Sequence, residues 1–256
     1  HSAVLYNGDQ MIIFGGYDDS SYFNDTYSLN LSSNAWTQIN TSGSAPAARR
    51  GHSAVPYNGD QMIIFGGYDG SSELNDTYSL NLSSNAWTQI TTSGSAPAAR
   101  YGHSAVLYNA DQMIIFGGSK YFSFFNDTYS LNLSSNAWTQ ITTSGSAPAA
   151  RREPTAVLYD RDQMIIFGGY DGSSYLNDVH SLDLSSNAWT QITTSGTSPA
   201  ARGYHTAMLY DADQMVIFGG YDGSSYLNDV HSLDLSSNAW SQITTSGSSP
   251  GTRGYH

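Results

Sequence analysis

The chain has 256 residues, 39% of them hydrophobic and only 12% charged, with a formal net charge of −12. Low charge together with 19 Tyr and 5 Trp excludes a disordered chain, and an acidic balance excludes the basic face that a nucleic-acid partner needs. The length is ample for a buried core, and the absence of Cys removes disulfides, thiolate metal sites and a Cys nucleophile.

Five Trp fall at 36, 87, 138, 189 and 240, each in the string Ser-Ser-Asn-Ala-Trp, and five Gly pairs keep the same spacing of 51. Such a period marks a repeat architecture. The repeats run about 1–51, 52–102, 103–153, 154–204 and 205–256, with no insertion or linker, so one domain is expected. Within the first repeat, His1 to Tyr6 reads as a short strand and Tyr6-Asn7-Gly8-Asp9 as a tight hairpin turn. Met11-Ile12-Ile13-Phe14 is a continuous apolar run, expected where both faces of a strand are buried. Four residues is also the longest wholly apolar run in the chain, too short to span a bilayer.

Gly15-Gly16 is expected to end that strand, and Tyr17 to Asn24 to form a polar loop. Thr26 to Leu31 alternates with period two, Leu31 to Asn34 turns, and Ala35 to Ile39 is a fourth strand. Thr41 to Arg50 reads as a long loop to the next unit. Four antiparallel strands per repeat of about 50 residues describe one propeller blade.

The order Arg-Gly-His-Ser-Ala-Val, Met-Ile-Ile-Phe-Gly-Gly-Tyr-Asp-Gly, Asn-Asp-Thr-Tyr-Ser-Leu, Asn-Ala-Trp resembles the kelch repeat in all five copies. That resemblance implies an all-β, kelch-type β-propeller of five four-stranded antiparallel blades. Kelch propellers usually have six or seven blades, so five is an unusual number. His256 stands where a sixth repeat would begin, equivalent to His1, which leaves two expectations open. Either the ring closes with the tail Arg253 to His256 over the first blade, or these residues belong to a longer array. The closed ring is the preferred reading.

A site without ring symmetry must come from differences between repeats. Asp171 to Gly196 matches Asp222 to Gly247 with one change, Thr190 to Ser241. The largest difference follows the double glycine. Repeat 3 has Ser119-Lys120-Tyr121-Phe122-Ser123-Phe124-Phe125 where the other repeats have Tyr-Asp-(Asp/Gly)-Ser-Ser. Phe124 aligns with Tyr22, Tyr175 and Tyr226, whereas Tyr121 and Phe122 are extra aromatics beside the only Lys. Two readings stand side by side: a contact surface, or rings folded back onto the blade. Repeat 4 differs at its start, where Arg152-Glu153-Pro154 lacks the usual His.

Every junction carries Arg: Arg49, Arg100, Arg151, Arg202 and Arg253. The kelch resemblance puts these near the channel mouth, where a planar guanidinium fork suits carboxylates of an acidic peptide. The competing reading, favoured for a residue present in every repeat, is that each Arg holds backbone carbonyls or an Asp of the next blade. His1, His52, His103, His205 and His256 are read as structural, because metal ligands must converge. The Asp-rich turns lack the ligand run of a calcium loop. No metal or cofactor is therefore expected. No phosphate loop, Gly-x-Ser-x-Gly elbow or zinc motif occurs, and the kelch copper oxidases rely on a Cys that is absent here.

The leading expectation is a non-catalytic scaffold that recognises a protein or peptide, with carbohydrate second, through loops on one face. Its contacts would be Tyr22, Lys120, Tyr121, Phe122, Phe124, Tyr175 and Tyr226 with the Arg set. The rival is a structural, self-assembling or extracellular matrix element, and a sugar-modifying enzyme comes last. Few Lys and Glu with abundant Ser, Thr and Asn favour a secreted or cell-surface protein, and His1 in place of Met fits a removed leader. In that setting Asn24, Asn75 and Asn126 are glycosylation candidates in Asn-Asp-Thr sequons.

Overall fold

A computed structural model describes the whole chain except residues 253, 255 and 256. Every regular element among the described residues is a β-strand, and none is a helix. The fold has two compact units. Unit 1 is His1–Ile115, Ser119–Tyr121 and Tyr129–Gln140; unit 2 is Phe116–Gly118, Phe122–Thr128 and Ile141–His256.

Each repeat builds one blade sheet, and in repeat 3 Ser119–Lys120 and Ser123–Phe124 add a separate two-stranded ribbon. In the first, Ser2–Tyr6, Gln10–Tyr17, Tyr22–Asn30 and Ala35–Gln38 pair in chain order, each antiparallel to the next. The expected Asn-Gly hairpin forms, with Asn7 at φ 50° and Gly8 at φ 76°, the doubly left-handed geometry that matches strand twist. The next turn is held by a side chain. Asn30 Oδ1 accepts the Ser32 and Ser33 amides and the Ser33 hydroxyl. Asp183 and Asp234 accept both following serine amides in the same way in repeats 4 and 5, with the hydroxyl of the first serine, Ser185 or Ser236, and these bonds pull their carboxyls down to about 2.

The second strands are apolar throughout because both of their faces are covered. In unit 1, Ile12 and Phe14 of the first sheet pack with Met62, Ile64, Leu80 and Trp87 of the second. The other face of the second sheet, Ile63 and Phe65, packs with Met113, Ile115, Leu131 and Trp138 of the third. Unit 2 repeats the pattern: Val157, Ile165, Phe167 and Val179 meet Met215, Ile217, Leu233 and Trp240. Each Phe lies near 5 Å from the Trp of the following sheet, at 4.9 Å for Phe14–Trp87 and 5.1 Å for Phe167–Trp240. Burying such a side chain contributes roughly 1.5–3 kcal/mol.

Two sequence expectations need correction. The double glycine does not always end the second strand. In repeats 1, 2 and 5 the strand runs on to Tyr17, Tyr68 and Tyr221, with a bulge after the Phe. Nor is the stretch after the fourth strand only a loop. Ser42–Gly43, Ser93–Gly94, Ser144–Gly145 and Ser195–Gly196 each lie parallel on the Ala-Trp of the next repeat's fourth strand. This strap donates two amides to it: Ser42 N to Asn85 O at 2.9 Å and Ser44 N to Trp87 O at 3.0 Å. Glycine is required in the strap. Gly43 has φ +77°, and a Cβ there would overlap the Trp87 carbonyl oxygen.

Candidate interaction surface

The end of each blade beyond the double glycine gathers the polar and aromatic side chains. Gly15 has φ +66°, and a Cβ on it would come within 2.8 Å of the Arg49 carbonyl oxygen. Glycine thus lets the following junction close in, and Gly16 N donates to Arg49 O at 2.9 Å. The Arg49 side chain then turns inward. Its Nε donates to Ala47 O at 3.0 Å, and its terminal nitrogens to Gly66 O at 2.9 Å and to both Asp76 oxygens at 2.6 and 3.0 Å. Arg151 makes the same set with Ala149, Gly168 and Asp178, and Arg202 with Ala200, Gly219 and Asp229. Burial raises the Asp178 carboxyl, but hydrogen bonds from Arg151 and His180 outweigh it and hold the group well below the usual carboxylate range. For Asp229 the Arg202 bond is the largest influence and again lowers it.

Outside the clasps lies a run of stacked rings. In unit 1, Tyr17 and Tyr22 are 4.6 Å apart, Tyr22 and Tyr68 5.9 Å, and Tyr68 and Tyr101 5.9 Å. The Arg50 guanidinium lies over three of these rings, 5.5 Å from Tyr17, 5.9 Å from Tyr68 and 5.7 Å from Tyr101. Unit 2 has its own run, Phe124–Tyr170–Tyr175–Tyr221–Tyr226, with centroids 5.0 to 5.9 Å apart. Arg152 lies over Phe124 and Tyr170 at 5.8 and 5.5 Å. Three of the rings also cover the Asp-Gly turn of the following repeat: a Cβ on Gly70 would meet Tyr22 at 2.9 Å, one on Gly172 Phe124 at 2.8 Å and one on Gly223 Tyr175 at 3.2 Å.

The same architecture is found by comparison. The KLHDC2/KLHL20/DRC7 Kelch-repeats domain matches residues 1–161 and 122–256, which together cover the chain. The chain belongs to the kelch-repeat family. Its fold class is all-β, a kelch β-propeller with five four-stranded blades in this chain. Among similar proteins, the leucine-zipper-like transcriptional regulator 1 homolog of Drosophila melanogaster is 31% identical, over 95% of this chain and 26% of its own length. Acyl-CoA-binding domain-containing protein 5 of Arabidopsis thaliana is 28% identical over 96% and 39%. Kelch domain-containing protein 10 of Rattus norvegicus is 29% identical over 95% and 64%. This kelch chain spans less than two thirds of the length of each of these relatives.

The kelch geometry sorts the residues named from sequence. Arg49, Arg100, Arg151 and Arg202 are fully buried. A ligand-contact role for these four is corrected: their guanidinium donors point into the blades, because the glycines admit them there. Arg100 follows suit, donating to Ala98 O at 3.1 Å and lying over the Tyr129 ring at 5.4 Å. Arg253 lies outside the described residues, as do Tyr255 and His256, so the expectation of a tail over the first blade falls there too. Tyr22, Phe124 and Tyr175 are half-buried in the stacks, and Tyr226 is 46% exposed. Tyr121 and Phe122 stand out at 68% and 98% exposed, and Lys120 Nζ lies 5.6 Å from the Tyr121 ring. Asn24, Asn75 and Asn126 are all exposed.

Repeat 3 is anchored in an unexpected way. Tyr121 occupies the turn position held by Gly70, Gly172 and Gly223, and it keeps their left-handed backbone at φ 53°. For a bulky L-residue that costs about 1–2 kcal/mol. Glu73 offsets part of the cost. It replaces the stacked tyrosine in repeat 2, and its Oε1 accepts the Tyr121 amide at 2.9 Å. Sequence reasoning missed Glu73 and the stacking role of Arg50, Arg152, Tyr17, Tyr68, Tyr170 and Tyr221. The available signal was Tyr directly after the double glycine in four of five repeats.

Hydroxyl–imidazole pairs are a further feature: Ser2 Oγ to His52 Nε2 at 2.6 Å, Ser53 Oγ to His103 Nε2 at 2.7 Å and Thr155 Oγ1 to His205 Nε2 at 2.7 Å. They join the first strand of one blade to the start of the next. His52, His103 and His205 are all buried, which seals them from a substrate. Burial pushes His103 down to about 3, with Arg100 adding to the effect. Among the described residues no three His, Cys, Asp or Glu side chains gather as a metal site would require, and no helix is long and apolar enough to cross a membrane.

Proposed function

We propose that this kelch chain is a non-catalytic binding scaffold whose protein or peptide partner docks on the loop of repeat 3. One observation carries the reading: Phe122, 98% exposed, beside Tyr121 in a left-handed turn that ordinarily takes glycine. A strained turn that presents aromatic rings to water loses stability unless a partner covers them. Aromatic anchors with a neighbouring cation, here Lys120, are the side chains that dominate binding hot spots. Within unit 2, Phe124 of the same loop packs on Tyr170, which gives the loop a fixed base; Tyr22 in unit 1 and Tyr175 and Tyr226 in unit 2 are further candidate contacts on their own blades. Matches to kelch stretches inside differently named, longer proteins also suit a binding module more than a fixed chemistry.

The test is selection of peptides from a displayed random library against the purified chain, followed by titration of the selected sequences. Phe122→Ala is expected to weaken them about tenfold or more, with the melting temperature unchanged. Equal affinity for the variant would retire the loop as the site. A glycan array run alongside separates a carbohydrate ligand from a peptide. The sparse Lys and Glu content supports a secreted or cell-surface setting. Glycosidase treatment of the natural protein reads it out as a mass loss at Asn24, Asn75 or Asn126.

A further inference from the structure

Unit 1 shows what a set of stacked rings in this fold holds. Tyr17 and Tyr22 stand 4.6 Å apart and Tyr22 and Tyr68 5.9 Å, at interplanar angles of 37° and 70°. The Arg50 guanidinium lies over Tyr17 and Tyr68 at 5.5 and 5.9 Å. Three repeats on, the same rings return within unit 2 as Tyr170, Tyr175 and Tyr221. Their separations are 5.0 and 5.6 Å and their angles 43° and 83°. Tyr68 and Tyr221 are tied down alike, each hydroxyl donating at 3.0 Å to a turn carbonyl, that of Gly70 or Gly223. The backbone also repeats, since Gly203 bridges Tyr221 as Arg50 bridges Tyr68. Only the cation differs: Gly203 stands where Arg50 stands, and has no side chain to lay over the rings.

A second change sits beside the first. Glu153 takes the position of Gly51 and Gly102 and keeps their left-handed backbone, at φ 56° against 62° and 65°. Its Cβ lies 3.7 Å from the place a Cβ on Gly203 would take. A non-glycine residue in that conformation is strained, and such strain gathers at ligand sites. Repeat 4 therefore puts a carboxylate beside the one ring set that lost its own arginine. Asp171 and Asp222 directly follow two of the rings, and serine amides hold their carboxyls below the usual range, so they add negative charge.

We propose that Tyr170, Tyr175 and Tyr221, with Glu153, bind the guanidinium of an arginine side chain in a basic peptide, in the place that Arg50 fills in unit 1. Ring faces attract cations, and a planar guanidinium both stacks on tyrosine and pairs with a carboxylate. Arg152 already lies over Tyr170 at 5.5 Å, so a ring of this set accepts that group. Arg202 does not compete, because it is turned inward on Asp229. The formal charge of −12 draws basic chains towards the surface. The site uses none of Lys120, Tyr121 or Phe122, so it stands or falls apart from docking on the repeat 3 loop.

Titration of the chain with N-acetyl-arginine amide, followed by NMR of the tyrosine ring protons, tests this. Saturable shifts are expected with the arginine probe and none with N-acetyl-alanine amide. Gly203→Arg restores the residue of the first junction. It is expected to fill the rings itself, abolishing the saturable shifts and raising the melting temperature. Because its Cβ would come within 3.1 Å of the Tyr175 ring, two further variants stand beside it. Tyr221→Leu is expected to weaken capture about fivefold and Glu153→Gln about threefold, both with unchanged circular dichroism. Phe122→Ala is expected to bind the probe as the wild type does. Absence of saturable shifts in the wild-type chain overturns the proposal, as does capture undiminished in Gly203→Arg and Tyr221→Leu. Tighter binding of N-acetyl-trimethyl-lysine amide overturns guanidinium as the occupant. Loss of capture in Phe122→Ala overturns the site by moving the cation to the repeat 3 loop.

Discussion

The buried arginine clasp occurs in both units, but its surroundings differ. In unit 1, Arg49 holds Asp76 and lies 5.5 Å from the Tyr78 ring. In unit 2 that tyrosine position is His180 or His231, and each donates a third bond to the clasped carboxylate at 3.0 Å. The clasp thus accepts two kinds of support, the face of a ring or an imidazole edge. What is common to Arg49, Arg151 and Arg202 is the bidentate Arg–Asp pair and the glycine carbonyl beside it. The comparison teaches that the arginine is the indispensable member and that its third neighbour is adjustable.

The harshest way to break the comparison is to remove the arginine. Arg49→Ala and Arg151→Ala are each expected to cost about 3–5 kcal/mol in chemical denaturation, because a partly buried carboxylate loses its partner. A large cost in one unit and none in the other would refute a common clasp. Acid titration comes next. His103 sits at about 3 in the folded protein, against an ordinary 6.5. Between those values the unfolded chain binds more protons, so stability is full above pH 6.5 and falls as the pH drops towards 3. The contribution is on the order of a few kcal/mol, and His103→Gln is expected to flatten that part of the stability–pH curve.

A finer test exchanges the supports. His180→Tyr gives unit 2 the chemistry of unit 1 and removes one hydrogen bond, for a loss of about 0.5–1.5 kcal/mol at neutral pH. It also lets the Asp178 carboxyl rise. A lowered carboxyl stabilises the fold above its ordinary value and loses that effect as pH falls, so the variant's acid unfolding begins at higher pH. An acid midpoint that fails to move would show that His180 does not support the carboxylate. The smallest expected effect is at the strained turn. Tyr121→Gly relieves the left-handed backbone and raises stability by up to about 1 kcal/mol, while weakening any ligand of the loop.

The blades were legible because their signals are long and periodic. Five Trp at one spacing, and an apolar quartet between an Asn-Gly turn and a double glycine, leave little choice of element. The straps were not legible, because two residues carry no period and their only mark is a Ser-Gly in a polar stretch. The aromatic surface was half legible. Tyr121 and Phe122 announced themselves by breaking a repeat. The fates of Arg49 and Arg50 did not follow from position, since adjacent residues with the same side chain end up in opposite places. One is drawn in by the glycine carbonyl and Asp76 of the next repeat, and the other is left outside to stack on tyrosine. Glu73 reads as an isolated substitution in the sequence, because the amide that donates to it, that of Tyr121, belongs to the next repeat.

The straps give the chain a polarity that its near-identical repeats would not suggest. Among the described residues, blades 2 to 5 each receive an edge cover from the repeat before. If one repeat opens, its successor loses the strap that covers the edge of its Trp-bearing strand, whereas its predecessor keeps that cover and loses the carbonyl and carboxylate that hold its arginine. The two neighbours are therefore expected to loosen at different places. In pulsed hydrogen exchange, destabilisation of repeat 3 would uncover the edge of the fourth strand in repeat 4 while leaving that of repeat 2 protected.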